Sequence, residues 1–345
     1  MESRSRIRAI IGRGNPDRTG FWLGNPDPAT WPILHRHFGS TDGEAIRRRL
    51  GDDLRWIAPW NYKHPEGKPM WAVGKTAHGA PGPFADCESV AEVEAWPHWP
   101  EPKYMDFTGT LAELRAAGPH YRASGMWTCF YHNVMDLFGF EDYLAKMHTH
   151  PEVVEAVTER VCRFYFAANE LFFPQAKGEV DAFFFGNDFG TQIDCICGPR
   201  EFDRFVMPWF RRFTDQGHQH GLQVILHSCG AISRVIPRLI DAGVDCLHPL
   251  QAKARGMDAI TLARDFRGKI AFLGGIDAQD MLPNASPQEI MDEVRRVRDL
   301  LGPYVIISPS HEAVLPDVPP ANVQAMAEAA TEARAIAERQ LPGSA

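Results

Sequence analysis

Short apolar runs rich in β-branched and aromatic residues alternate along this chain with longer stretches whose apolar positions recur every three or four residues. The first pattern predicts strands and the second amphipathic helices. Strands are expected at 21–24, 54–59, 126–130, 181–186, 222–226, 244–249, 269–274 and 304–308. Helices are expected at 29–38, 43–50, 108–117, 151–172, 199–220, 232–242, 258–266, 287–301 and 320–339. Pro151 and Glu152 suit the first turn of the longest helix, where no N–H is needed and a carboxylate meets the positive end of the dipole. Strands that are each followed by a helical pattern predict an α/β fold, a (β/α)8 TIM barrel forming one domain over 1–345. A doubly wound open sheet would show a glycine-rich phosphate loop after an early strand, and no such GxGxxG or Walker pattern occurs.

One stretch breaks the alternation. Between 62 and 104, Pro, Gly, Trp and His crowd together in HPEGKPMWAVGKTAHGAPGP and AWPHWPEPKY. Excursions of this length in a compact domain are usually functional or interfacial. This one is expected to cap one end of the barrel, with a small hairpin around 70–76.

Composition narrows the class. The 345 residues are 44% hydrophobic, enough for one large core, and the formal net charge of -8 leaves no electrostatic footprint for nucleic acid. No run approaches a membrane span. The basic N-terminus has only Ala9-Ile10-Ile11 as apolar core, too little for a secretory signal. Seven scattered cysteines, an odd number, argue for a reducing compartment rather than a disulfide framework. The expectation is a soluble cytoplasmic protein.

A barrel of this kind carries its chemistry at the C-terminal ends of its strands. Those positions hold Asn25, Trp60 with Asn61, Tyr131 with His132, Asn187 with Asp188, His227 with Cys229, His248 with Gln251, Asp277, and His311 with Glu312. A barrel rim is polar because it is wet, so several of these need no function. His227 and Cys229, two apart at the end of a strand, point to one side and offer an imidazole and a thiolate, which suit zinc. A buried His beside a free Cys is equally ordinary core packing. His311, at the same height after the last strand, could complete a zinc site with an open position or could bind substrate. Asp188 and Glu312 are candidate proton carriers; Asp188 could instead orient a ligand histidine, and Glu312 could be a further ligand or a solvated rim carboxylate. Asn187, Trp60, Tyr131, His248 and Gln251 are candidate substrate contacts. The aromatic residues near 56–60, 127–131 and 183–189 suggest an apolar or aromatic substrate. Cys195, Cys197 and Cys246 read as loop or core residues.

Five runs, ILHSCG (225–230), VDCLHPLQ (244–251), FLGGID (272–277), SPSH (308–311) and PPANV (319–323), resemble the uroporphyrinogen decarboxylase superfamily in order and spacing. The likeness extends upstream through DFGTQ (188–192). It implies a (β/α)8 barrel and either porphyrinogen decarboxylation or cobalamin-linked methyl transfer. The decarboxylases carry an arginine-rich motif after strand one; here FWLGNPDP (21–28) has no arginine, and WIAPW (56–60) replaces their aspartate-bearing segment. The methyltransferase branch binds zinc through His-x-Cys after strand five and a Cys after strand eight. This chain matches at His227 and Cys229 and has His311 in place of the second Cys.

The resemblance therefore implies a zinc-dependent methyltransferase of O-demethylase type. It would move a methyl group from a small methoxylated or methylated substrate to a separate corrinoid (cobalamin) protein. Zinc would sit on His227, Cys229 and His311. Two alternatives stay open: a corrinoid-independent lyase, decarboxylase or hydratase, and a non-catalytic tetrapyrrole- or corrinoid-binding protein. The expected partners are a small-molecule substrate and the corrinoid protein, with a homodimer left open and neither nucleic acid nor membrane.

Overall fold

The computed structural model describes residues 1–73 and 80–332. Its strands are β1 (Gly20–Phe21), β2 (Asn25–Pro26), β3 (Leu54–Trp56), β4 (Tyr121–Ser124), β5 (Ala182–Gly186), β6 (Gln223–His227), β7 (Cys246–His248), β8 (Ala271–Ile276), β9 (Val305–Pro309) and β10 (Ala313–Val314). Eight of them form one sheet in the order β1-β9-β8-β7-β6-β5-β4-β3, paired in parallel throughout; β2 and β10 form a separate parallel pair. The seam between β1 and β3 is closed by Asp53, whose N–H donates to Phe21 O at 2.8 Å. Its carboxylate accepts from Phe21 N at 3.1 Å. The fold is the expected (β/α)8 barrel.

Alternation along the strands decides which side chains fill the interior. In β5, Phe184 points inward with Ile225, Cys246, Leu273 and Ile306, whereas Phe183 and Phe185 face the surrounding helices. The N-terminal helix Ser3–Ile11 plugs the lower end of the barrel with Ile7, Ile10 and Ile11. This helix is not among the expected ones, although its three isoleucines have the spacing of one helical face.

Helices Pro151–Phe172 and Pro287–Leu301 lie where expected, the latter with a reciprocal capping box between Ser286 and Glu289. Two expectations are corrected. The strand expected at 126–130 is formed instead by Tyr121–Ser124. The apolar 126–130 run is the turn into helix Phe130–Phe138, with Gly125 at φ 109° and Thr128 at φ 40° breaking extended geometry. The run looks like a strand because it is buried: Trp127 lies against Trp56 and Phe184. The helix expected at 199–220 is interrupted by a π turn at Phe202–Val206 before it resumes as Met207–Gln219. Pro208 cannot donate to a carbonyl four residues back, and the wider turn absorbs the break.

Part of the expected hairpin around 70–76, and the end of the expected helix 320–339, lie outside the described residues; the helix is seen as Pro320–Thr331. The described part of 62–104 is tied at its base by a Tyr62–Met105 bridge and packs on the barrel's helices through Phe84 on Phe138 and Trp71 on Phe164 and Tyr165. Among the described residues, no helix is long and apolar enough to cross a membrane, and all seven cysteines are free.

Candidate metal and proton-transfer site

The C-terminal mouth of the barrel is built around the imidazole of His227, the last residue of β6. Two registers place its surroundings. Gly186 on β5 and His248 on β7 lie beside it in the ladders. Gly186 is required because a Cβ there would run into the Trp127 ring. That ring meets the His227 ring edge-on at 5.4 Å. The site therefore has an aromatic wall, extended by Trp56 and Trp60.

The two ring nitrogens of His227 face different company. On one side, Nε2 lies 3.3 Å from Asp188 Oδ1 and 3.5 Å from Cys229 Sγ. Cys229 N donates to the same Asp188 oxygen at 2.8 Å, which fixes both loops together. On the other side, Nδ1 lies 2.9 Å from His248 Nδ1 and 3.4 Å from Glu312 Oε2. Asp188, His227 and Cys229 form one group of ligand atoms within 4.8 Å of one another, and His227, His248 and Glu312 form a second.

Charge follows from this packing. Burial disfavours an imidazolium at His227, but hydrogen bonds to Asp188 and Cys229 and the charge of Glu312 outweigh it and hold the pKa well above the usual histidine value. Burial also works against the Asp188 carboxylate, yet His227 and His132 hold its pKa well below the ordinary range. His248, wholly buried, is pushed well below the usual value by burial and then by repulsion from His227 and His311. Burial pushes the Cys229 thiol up, opposed in part by His227.

The first group fits zinc. Bond lengths of about 2.0–2.3 Å to N, O and S in a tetrahedron give donor–donor edges of about 3.3–3.6 Å. The edges from His227 Nε2, at 3.3 and 3.5 Å, fall in that interval. A histidine that binds metal through one nitrogen ordinarily directs the other N–H to a carboxylate or similar acceptor, and Glu312 and His248 stand there.

The expected site residues are not all brought together. His227, Cys229, Asp188, Glu312 and His248 converge. His311 is half exposed, accepts Ala313 N–H at Nδ1, and stands outside both ligand groups with its ring 6.0 Å from that of His227. Gln251 accepts Gly230 N–H at 2.8 Å and so supports the Cys229 turn. Asn187 is buried and spends its amide on the backbone of the preceding loop, accepting from Tyr131 N and donating to Thr128 O. Tyr131 is buried among Tyr143 and Phe189, away from His227. Trp60 is exposed at the mouth. His132, noted only as a rim residue, is brought to 3.6 Å from Asp188 Oδ2. Trp127, one of the aromatic residues that suggest an apolar substrate, fills the space above Gly186, and nothing in its spacing announces this.

The fold is that of a (β/α)8 barrel protein, with N, O and S side-chain donors gathered at its C-terminal mouth. The profile of the family described as Uroporphyrinogen decarboxylase (URO-D) matches residues 122–333, and the chain belongs to this family. A methylated-thiol–coenzyme M methyltransferase of Methanosarcina mazei is 24% identical over 160 residues, which cover 46% of this chain and 39% of that protein. The match thus spans well under half of that relative. A solved structure described as a methyltransferase from Methanosarcina mazei superposes with a TM-score of 0.67 at 14% identity, covering 95% of this chain and 98% of that one. That is a likeness of fold.

Proposed function

We propose that this chain is a methyltransferase that takes a methyl group from a small methylated or methoxylated substrate and delivers it to a separate corrinoid protein. The observation that carries this reading is the pairing of Cys229 Sγ and Asp188 Oδ1 around His227 Nε2, at distances that suit zinc. Family membership and the methyl-transfer activity named for its relatives support it. The metal would rest on His227 and Cys229 with Asp188 as the third donor, and His311 would be a substrate contact at the rim. Bound there, a zinc ion would supply Lewis acidity toward the atom that loses the methyl group.

The chain's own residues do the rest. Trp56, Trp60 and Trp127 would hold an apolar substrate and keep water from the reacting carbon. The methyl–heteroatom bond breaks with its electron pair left on the oxygen or sulfur, and the methyl group forms its new bond to the reduced cobalt of the partner. An oxygen leaving group needs a proton, and Glu312, partly exposed as a side chain and with Oε2 3.4 Å from His227 Nδ1, is placed to carry it.

The test uses the purified, zinc-loaded protein, reduced free cobalamin as acceptor, and a panel of methoxyaromatic and methylthio compounds. The expected result is conversion to methylcobalamin, followed by its absorbance and abolished in His227→Ala. Release of carbon dioxide, or of an elimination or hydration product, without any cobalamin methylation would overturn the proposal in favour of a lyase.

A further inference from the structure

His227 has donor atoms on both sides, and the reading above uses only one. On the Nδ1 side, His248 Nδ1 and Glu312 Oε2 complete a set of two imidazoles and one carboxylate. That set contains no sulfur and matches the ligand preference of harder first-row divalent cations. Two features mark it as built for a ligand. Among the described residues, Glu312 Oε2 has no hydrogen-bond partner although ring nitrogens of His227 and His311 lie 3.4 and 3.5 Å away. His248 is wholly buried, and its Nδ1 meets His227 Nδ1 at 2.9 Å, a pair of ring nitrogens that one proton or one cation can share. A carboxylate oxygen left without a hydrogen bond beside two imidazoles is costly unless something sits between them.

We infer that His227 is a bridging ligand: a second divalent transition-metal cation binds at His227 Nδ1, His248 Nδ1 and Glu312 Oε2, on the far side of the ring from the Cys229 centre. This rests on the reading of the Cys229 side as a metal site. Charge bookkeeping favours a pair. Asp188, Cys229 and Glu312 place three anionic ligand types around one imidazole. One divalent cation leaves an excess of anion in this partly buried cluster, and a second cation offsets it. The protons displaced from Cys229 and from the His227 ring pass to solvent, as in other metal sites whose ligands must deprotonate. The second cation then stands at the open mouth, beside His311, where it can bind an oxygen of the substrate or a water.

The experiment titrates metal-free full-length protein with Co2+ and reads stoichiometry by mass spectrometry alongside the thiolate-to-cobalt charge-transfer band. The variants are Cys229→Ser and Glu312→Gln, both conservative and at partly solvent-facing positions, with circular dichroism to check the fold. The expected result is two cobalt ions per chain in the wild type. Cys229→Ser keeps one ion and lacks the charge-transfer band; Glu312→Gln keeps one ion and retains it. A single ion with the band, unaffected by Glu312→Gln, overturns the inference and leaves the Cys229 centre standing. A single ion without the band, lost in Glu312→Gln, overturns both the bridge and the Cys229 centre, as does the absence of any bound cobalt.

Discussion

At the lower end of the barrel, Asp53 accepts hydrogen bonds from Ser3 Oγ, Arg6 Nη1, Arg18 Nη1 and Phe21 N. Asp181 likewise accepts from Arg4, Arg8 and Arg122 N. At the upper end, His248 Nε2, Glu312 Oε2, Ser308 Oγ and the indole nitrogens of Trp22 and Trp56 are buried without hydrogen-bond partners among the described residues. Both ends bury polar groups; at the lower end the carboxylates of Asp53 and Asp181 are paired by several donors each, although Arg122 Nε is left without a hydrogen-bond partner. A buried carboxylate saturated by guanidinium groups holds the plug helix Ser3–Ile11 to the sheet and has nothing left to offer a ligand. Groups left short of partners at the mouth keep their bonding capacity for something that binds. Stability and chemistry are thus divided between the two ends, as parallel barrels require.

The sharpest way to break this contrast is to move the damage. Asp53→Asn leaves Arg6 and Arg18 without their shared charge, and removing one partner of a buried pair costs about 3–5 kcal/mol. Denaturant unfolding should show that loss while metal binding at the mouth is kept; metal loss with unchanged stability would erase the distinction. Asp188→Asn should do the reverse, weakening metal affinity by more than the roughly 10–100-fold that loss of an outer-shell partner costs, with little change in melting temperature. Ser286→Ala, at a helix N-cap and in neither ligand group, should cost only about 1 kcal/mol through the lost cap and leave metal content alone.

The smallest effect concerns pH at the lower end. A hydrogen bond from Arg6, against slight burial and with help from the Met1 ammonium, holds the Asp17 carboxyl well below its usual value. A depressed folded-state pKa contributes stability that is full above the ordinary aspartate pKa of about 3.9 and is lost as pH falls toward the depressed value. The melting temperature of Asp17→Asn should therefore lie below that of the wild type at neutral pH and converge with it in acid. Asp17 is partly exposed, so the gap is small; a gap that does not narrow would rule the interaction out.

What the sequence could disclose follows the same division. Strand and helix order was legible because the inner and outer faces of each element repeat with fixed periods, and Pro151–Phe172 and Pro287–Leu301 were placed to the residue. Tyr121–Ser124 was missed because Arg122 sits on it. The residue reads as polar surface but is buried on the helix-facing side in an ion pair with Glu179. His227, Cys229, Asp188 and Glu312 were legible as strand-end residues of metal-binding or proton-carrying type. The roles of Asn187, Tyr131 and Gln251 were not, because the choice between facing the mouth and bracing a loop rests on side-chain direction within irregular turns. No periodicity encodes that. His311 and His132 show the same limit: rim position was readable, distance to the cluster was not.

The central claim is that His227 and Cys229 form a metal centre at the mouth. Elemental analysis of the purified protein by mass spectrometry, beside a His227→Ala, Cys229→Ala double variant of unchanged melting temperature, tests it most directly. The account predicts at least about one zinc per chain in the wild type and none in the double variant. A wild-type protein prepared with zinc present that binds no metal, or a double variant that keeps its full complement, would contradict it.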